Sequence, residues 1–411
     1  MKLNLFYALA IAGVMTTFSS CSDNDDPTIP GSALVEKTYS GTDGLTLSLN
    51  GSQIIGKTIT FVPTSDGNAT LTLAGEPLNI SDIMTAITRS YGVPGVTVPT
   101  AGVLPGSATV SIPVTLIGDT DNCTFSGTGE TEYCTYSYDG SATPDVIIFN
   151  LSDVKLKNTS LAGTWKLPAL DENFFNVARV EWKAEKGALV DLFGFEMEMP
   201  IETIIRLALV TPLLEPDEDG NPTSSPLQML ENVLDNVTFE ENGDVTARFL
   251  DIEKGEMTTS PAGIAQYVVT SDNTLRLFLN PAAIIANAVA NTKSTTRAAD
   301  LSIVIENLMQ QLIPMLSEGI PVSYGPAIVD EDGKISEEAT AFYLNTETLL
   351  PILKAFAPLM TDNDFVNSII EEAKKDPAMG SMANTLSGIL KAFPEIVNST
   401  SKVEIGINLK K

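Results

Sequence analysis

Short runs of alternating apolar and polar residues, cut by turn signals, constrain this chain most. Leu45-Thr46-Leu47-Ser48-Leu49 is one such run. Lys57 to Val62 and Ala69 to Leu73 repeat it. Val96 to Val98, Ala108 to Leu116, Tyr133 to Tyr138 and Val146 to Leu151 continue it less strictly. A period of two puts successive side chains on opposite faces, so each run reads as a strand with one wet face. Asn50-Gly51, Ser65-Asp66-Gly67-Asn68 and Asp139-Gly140 supply turns between them. Residues 33–158 are therefore expected to form an all-β N-terminal domain, an antiparallel barrel or a sandwich. Ser81 to Thr88 adds a helical turn or two.

Asn158-Thr159-Ser160 reads as a boundary, and residues 159–411 have a different texture. Pro200 to Leu209 predicts a helix with Pro at its first position, where a missing N–H costs nothing. Ser225-Pro226-Leu227-Gln228 is a capping box opening another. Further helices are expected from Asn280-Pro281 to Asn291, from Asp300 to Leu316, from Thr346 to Met360 behind Asn345, and from a Thr361/Asp364 cap to Lys375. Met382, Leu386, Ile389, Leu390 and Phe393 line one face of the last. Hairpins lie between: 237–249 around Asn242-Gly243, the strongest short hairpin signal, and 267–279. Thr340 to Leu344 and Val403 to Leu409 complete the strands. The second domain is thus expected to be α+β, with antiparallel hairpins and several apolar helices.

The start of the chain carries an address. Lys2, the apolar stretch Leu3 to Met15, and Ser19-Ser20 before Cys21 are the parts of a signal peptide over residues 1–20. The apolar stretch is shorter than the roughly 18–20 residues a spanning helix needs. Small residues directly before a Cys point to lipoprotein processing, with Cys21 as the acylated first residue. An ordinary signal peptide with a coincidental Cys is the alternative. Residues 21–32, with the acidic run Ser22 to Asp26, then form a tether broken by Pro27 and Pro30-Gly31-Ser32.

Composition excludes several functions. The formal net charge is −28, and removing residues 1–20 takes away only Lys2, leaving near −29. Such a chain repels phosphate backbones and anionic headgroups, so no nucleic-acid partner is expected. There is no histidine. That removes Ser-His-Asp and Cys-His catalysis as usually built and most catalytic zinc sites. No nucleophile elbow or phosphate-cradling Gly-rich loop is present. No enzyme activity, cofactor or metal is therefore expected. The acidic loops 215–221 and 330–338 fail the calcium-loop pattern and read as solvated turns.

Cys123 and Cys134 remain in an exported chain and read as a disulfide pair. A turn at Thr128-Gly129 would set them opposite each other across a hairpin; a turn shifted by one residue would not. Tyr136 and Tyr138 share one strand face and Tyr133 takes the other, with strand packing as their expected role. The helices of the second domain are apolar over a wide arc. Burial on several sides explains that width. So does a groove for an acyl chain or apolar peptide, for which Ile204, Leu349, Leu353, Phe356, Leu386 and Phe393 are the candidate lining.

Tyr39 to Leu49, Ile59 to Leu73 and Phe149 to Leu156, with Leu161-Ala162-Gly163-Thr164-Trp165 and Glu404 to Leu409, carry a resemblance. The organisation resembles a family of two-domain surface lipoproteins of gut Bacteroidota with no established activity. The first half is similar to the calycin-like modules of that family. The resemblance implies attachment to the outer membrane through Cys21 and export to the cell surface directed by the acidic run. Calycin relatives imply, by analogy, a small apolar ligand. Two readings of function result. One is a non-catalytic binding module for an apolar small molecule or a partner protein. The other is a glycan-binding accessory lipoprotein or, further off, a carboxylate-based glycoside-acting enzyme.

Overall fold

The computed structural model describes residues 29–79, 97–170, 176–192, 195–212, 224–252, 254–284, 314–328, 334–375 and 383–411. The molecule is mostly β, in several antiparallel sheets with few helices. Cys21, its tether up to residue 28, the expected turn at 81–88, the loop 215–221, most of the helices expected over 281–316, and Asp330 to Gly333 lie outside the described residues.

Residues 33–158 supply two sheets. One has the order 37–40, 57–63, 68–75, 109–115; the other runs 52–53, 45–49, 147–156, 134–142, 123–130, 117–118. The alternation read from the sequence is the burial pattern. Leu45, Leu47 and Leu49 point inward, as do Ile59 and Phe61 and then Ala69, Leu71 and Leu73. The inward residues of both sheets share one core, in which Phe149 lies 5.8 Å from Phe125 and 5.9 Å from Tyr138. Asn50 and Gly51 both take positive φ, 48° and 83°, the backbone a tight two-residue hairpin demands. One pairing is parallel, 45–49 beside 147–156. Among the described residues these strands form two stacked sheets rather than a closed barrel.

The expected disulfide is not formed: Cys123 and Cys134 are free and buried. Strand 123–130 continues through Gly127-Thr128-Gly129, and the chain turns at Thr131 to Tyr133, where the Thr131 N–H donates to the Cys134 carbonyl at 2.8 Å. Cys123 consequently faces Ala142, and Cys134 faces Leu156. The two thiols stand at opposite ends of the hairpin, on the order of 20 Å apart at strand rise. Those glycines serve packing rather than turning. Gly127 pairs with Tyr138 and Gly129 with Tyr136, and a Cβ on either would sit 2.5 Å from the facing tyrosine. Tyr136 and Tyr138 share the buried face, their rings 6.3 Å apart; Tyr133 sits in the turn, over Gly106.

The strands of 163–411 pair only with each other. One sheet has the order 163–165, 234–239, 245–251, 256–259; the other runs 178–184, 400–410, 335–344, 320–328, 274–279, 265–271. Two isolated antiparallel bridges link these sheets, Lys166 to Lys410 at one edge and Asp244 to Gln266 at the other. Their inner face gathers aromatics. Trp165 meets Phe342 edge-on at 5.3 Å, and Phe239 meets Tyr267 edge-on at 4.9 Å. Tyr324 stacks on Phe342, and the buried Trp165 indole N–H donates to the Leu161 carbonyl at 2.9 Å. The outer face carries an ion-pair group: Arg179 on Glu404 and over the Tyr343 ring, Lys402 on Glu181 at 2.6 Å.

Helices α1 (Ile201–Val210), α2 (Pro226–Val233), α3 (Thr346–Phe356), α4 (Asn363–Lys375) and α5 (Ala383–Asn398) accompany these strands. The Ser225 capping box is formed, and Asn345 caps α3. Pro200 stands at the N-cap of α1, one residue before its expected place. Asp362, not Thr361, caps α4: its Oδ1 accepts from the N–H groups of Asp364 and Phe365. The helices α1, α3 and α5 and the hairpin 188–199 pack on Trp182, Val403 and Ile405. Gly388 lets α5 approach closely, since a Cβ there would lie 2.1 Å from the Leu189 carbonyl oxygen.

Candidate functional site

Ile204 is buried in a cluster with Trp182, Val190, Ile201, Ile396 and Val397, and Leu349, Leu353 and Phe393, half-buried, pack against it. Phe356 and Leu386 are half-buried and stand outside that cluster. The two tryptophans are each only 5 % exposed, so neither offers a flat platform to a sugar ring. Among the described residues no group of three carboxylates or thiols is placed to hold a metal ion. No helix of the described residues is long and apolar enough to cross a membrane.

The polar chemistry of the interior gathers instead where the two regions meet. The tip of hairpin 234–251 presses on the first region. The Leu156 N–H donates to the Glu241 carbonyl at 2.8 Å, and a Cβ on Gly243 would meet Pro105 at 2.6 Å. Beside it, Gln266 Nε2 donates to the Val103 carbonyl at 3.4 Å, and Asn280 Nδ2 donates to the Ile55 carbonyl at 3.0 Å. These contacts border a partly open cavity of about 10 Å³, room for about one water. Lys57, Gln266 and Asn280 line it, with Ile54, Val103 and Phe278 among its apolar walls.

Lys57 is the unusual member. It opens strand 57–63 in the inward phase of Ile59 and Phe61 and is 6 % exposed. Its ammonium donates to the Ala101 and Gly102 carbonyls at 2.9 and 3.0 Å, and among the described residues no carboxylate pairs with it. Burial pushes its pKa down to about 8. Asp244 is the second buried charge. Burial pushes its carboxyl up to about 6, against a hydrogen bond from the Gly263 N–H, and its Oδ1 has no partner. It lies in the hairpin turn, directly after Gly243, and does not line the cavity. The sequence reading missed both. Lys57 had a signal, because it occupies a core phase of an alternating strand; Asp244, directly after a turn glycine, had none.

No protein-family model, no curated protein and no solved structure matches the chain.

Proposed function

We propose that this chain is a lipid-anchored surface lipoprotein that works as a non-catalytic module for binding a partner protein. The supporting observation is that Ile204 is buried and Leu349, Leu353 and Phe393, half-buried, lie against the core around Trp182, where an apolar ligand would need an open groove of several hundred cubic ångströms. The burial of Trp165 and Trp182 argues against the glycan reading. The anchor itself rests on the sequence around Cys21 and on the family resemblance.

The resemblance to calycins fits the second region better than the first. Strands 163–165, 234–239, 245–251, 265–271, 274–279, 320–328, 335–344 and 400–410 follow one another in sequence, and the two isolated bridges carry that order back to its start. Eight up-and-down strands are the calycin plan, whose interior is just wide enough to be filled by side chains or to hold one small ligand. In such a plan Trp165, Phe239, Tyr267 and Phe342, which are all buried in the core, would be the filling side chains.

Native mass spectrometry of the purified protein tests the reading. The expected spectrum shows the acylated chain with no further small molecule. A co-purified apolar compound of a few hundred daltons would restore the ligand-carrier reading. Fractionation tests the anchor: Cys21→Ser is expected to move the protein from membranes to the soluble fraction.

A further inference from the structure

The junction cavity gathers three hydrogen-bond donors, each with an N–H to spare. The Lys57 ammonium has three N–H groups and uses two, on Ala101 and Gly102. Gln266 Nε2 spends one of two on Val103, and Asn280 Nδ2 spends one of two on Ile55. The Asn280 Oδ1 is engaged by the Ala283 N–H at 3.3 Å. No carboxylate lines the cavity itself, whose one charged lining side chain is the buried Lys57; the buried Asp244 carboxyl accepts from the N–H of the wall residue Gly263.

We propose that this cavity binds a single halide ion, chloride under ordinary conditions, held by Lys57 with the amide N–H groups of Gln266 and Asn280. Size suits a small guest: about 10 Å³ is room for about one water-sized occupant, which fits a monatomic ion better than phosphate or sulfate. Sign selects the ion, because a cation is repelled and a water leaves the buried charge without a counter-charge. In a site of low effective dielectric, opposite charge in contact with the ammonium is the strongest interaction open to it. Lys57 comes from the first region and Gln266 and Asn280 from the second, so a bound ion ties the two together. Binding only the docked state stabilises that state by mass action.

Thermal unfolding of the full chain in sodium chloride and in sodium gluconate, at matched ionic strength, tests the site. The expected result is a Tm that climbs by about 2 °C for each tenfold rise in chloride once the site fills, with gluconate giving no such rise. Lys57→Met is expected to erase the difference between the salts. Diffraction from bromide-soaked crystals of the unaltered protein gives a reading that does not depend on the variant folding. An anomalous peak beside Lys57 Nζ supports the site. Equal melting in both salts, a chloride effect that survives Lys57→Met, or a cavity without bromide overturns it.

Discussion

Residues 33–158 and residues 163–411 are both built on antiparallel strands and share one continuous core, yet they cover their apolar faces by different means. In the first, two sheets cover each other, and each strand keeps one face wet. In the second, two sheets joined by isolated bridges gather Trp165, Phe239, Tyr267 and Phe342, while α1, α3, α5 and a hairpin cover the face around Trp182. The apolar helices expected to wall a binding groove carry a second apolar cluster, in which Leu349, Leu353 and Phe393 remain half-buried. The difference also locates the buried charge. The two buried charges lie near where the regions meet, Lys57 on the cavity wall and Asp244 beside Gly243 in the hairpin tip.

The comparison can be broken in order of expected effect. Phe149→Ala removes a fully buried ring from the shared core of the stacked sheets and is expected to cost about 3–5 kcal/mol in urea unfolding. A loss below about 1 kcal/mol would mean that core is not packed as described.

The junction charges give a pH dependence. Lys57 titrates near 10.5 when exposed and about 8 when folded. Between those values the unfolded chain holds a proton the native one has shed, so stability rises with pH across that window and is lost as pH falls through about 8. The expected span is on the order of 3 kcal/mol, and Lys57→Met should flatten it. Asp244 acts in the opposite sense. Its contribution is present below 3.8 and lost as pH rises through about 6, and Asp244→Asn should remove that acid arm.

Gly243→Val compares the junction with a free turn. Gly243 has φ 91° and Pro105 against it, whereas Gly51 has φ 83° and open space. The first substitution is expected to cost about 3 kcal/mol and to split unfolding into two transitions, and Gly51→Val about half as much with one transition retained. Leu353→Ala should cost about 2 kcal/mol if α3 is core, and well under 1 kcal/mol if it lines a vacant groove. The smallest expected effect is none: a reducing agent should leave Tm unchanged, because Cys123 and Cys134 are not bridged. A drop in Tm on reduction would break the assigned register.

Legibility in the sequence followed the number of wet faces. Strand 45–49 was readable to the residue because its faces differ, buried against half-buried or exposed. Strand 320–328, Ile-Pro-Val-Ser-Tyr-Gly-Pro-Ala-Ile, is half-buried along most of its length on both faces, so alternation gave no signal. In 188–190 burial does alternate, with Ala188 and Val190 buried and Leu189 58 % exposed, but all three are apolar, so the sequence showed no alternation. Asn242-Gly243 was a true turn, while Gly127-Thr128-Gly129 was a false one, since glycine also marks places where a tyrosine lies across the strand. Of the candidate site, the apolar residues were legible as apolar. Their role was not, because a groove and a core demand the same side chains. The junction amides Gln266 and Asn280 meet Lys57 across more than two hundred residues, a proximity no local pattern encodes.

The bridge between Lys166 and Lys410 sets an order of events in time. Each strand of the first region has its partners by residue 156. The second region joins residue 166 to residue 410, the most distant pairing in the molecule, and loop-closure entropy makes such contacts slow to form. During folding the first region therefore stands complete while the second still lacks strand 400–410 and shows the inner faces of strands 178–184 and 335–344, among them Trp182 and Phe342, to water. That interval is when the protein is most open to aggregation, and strand 400–410 ends it.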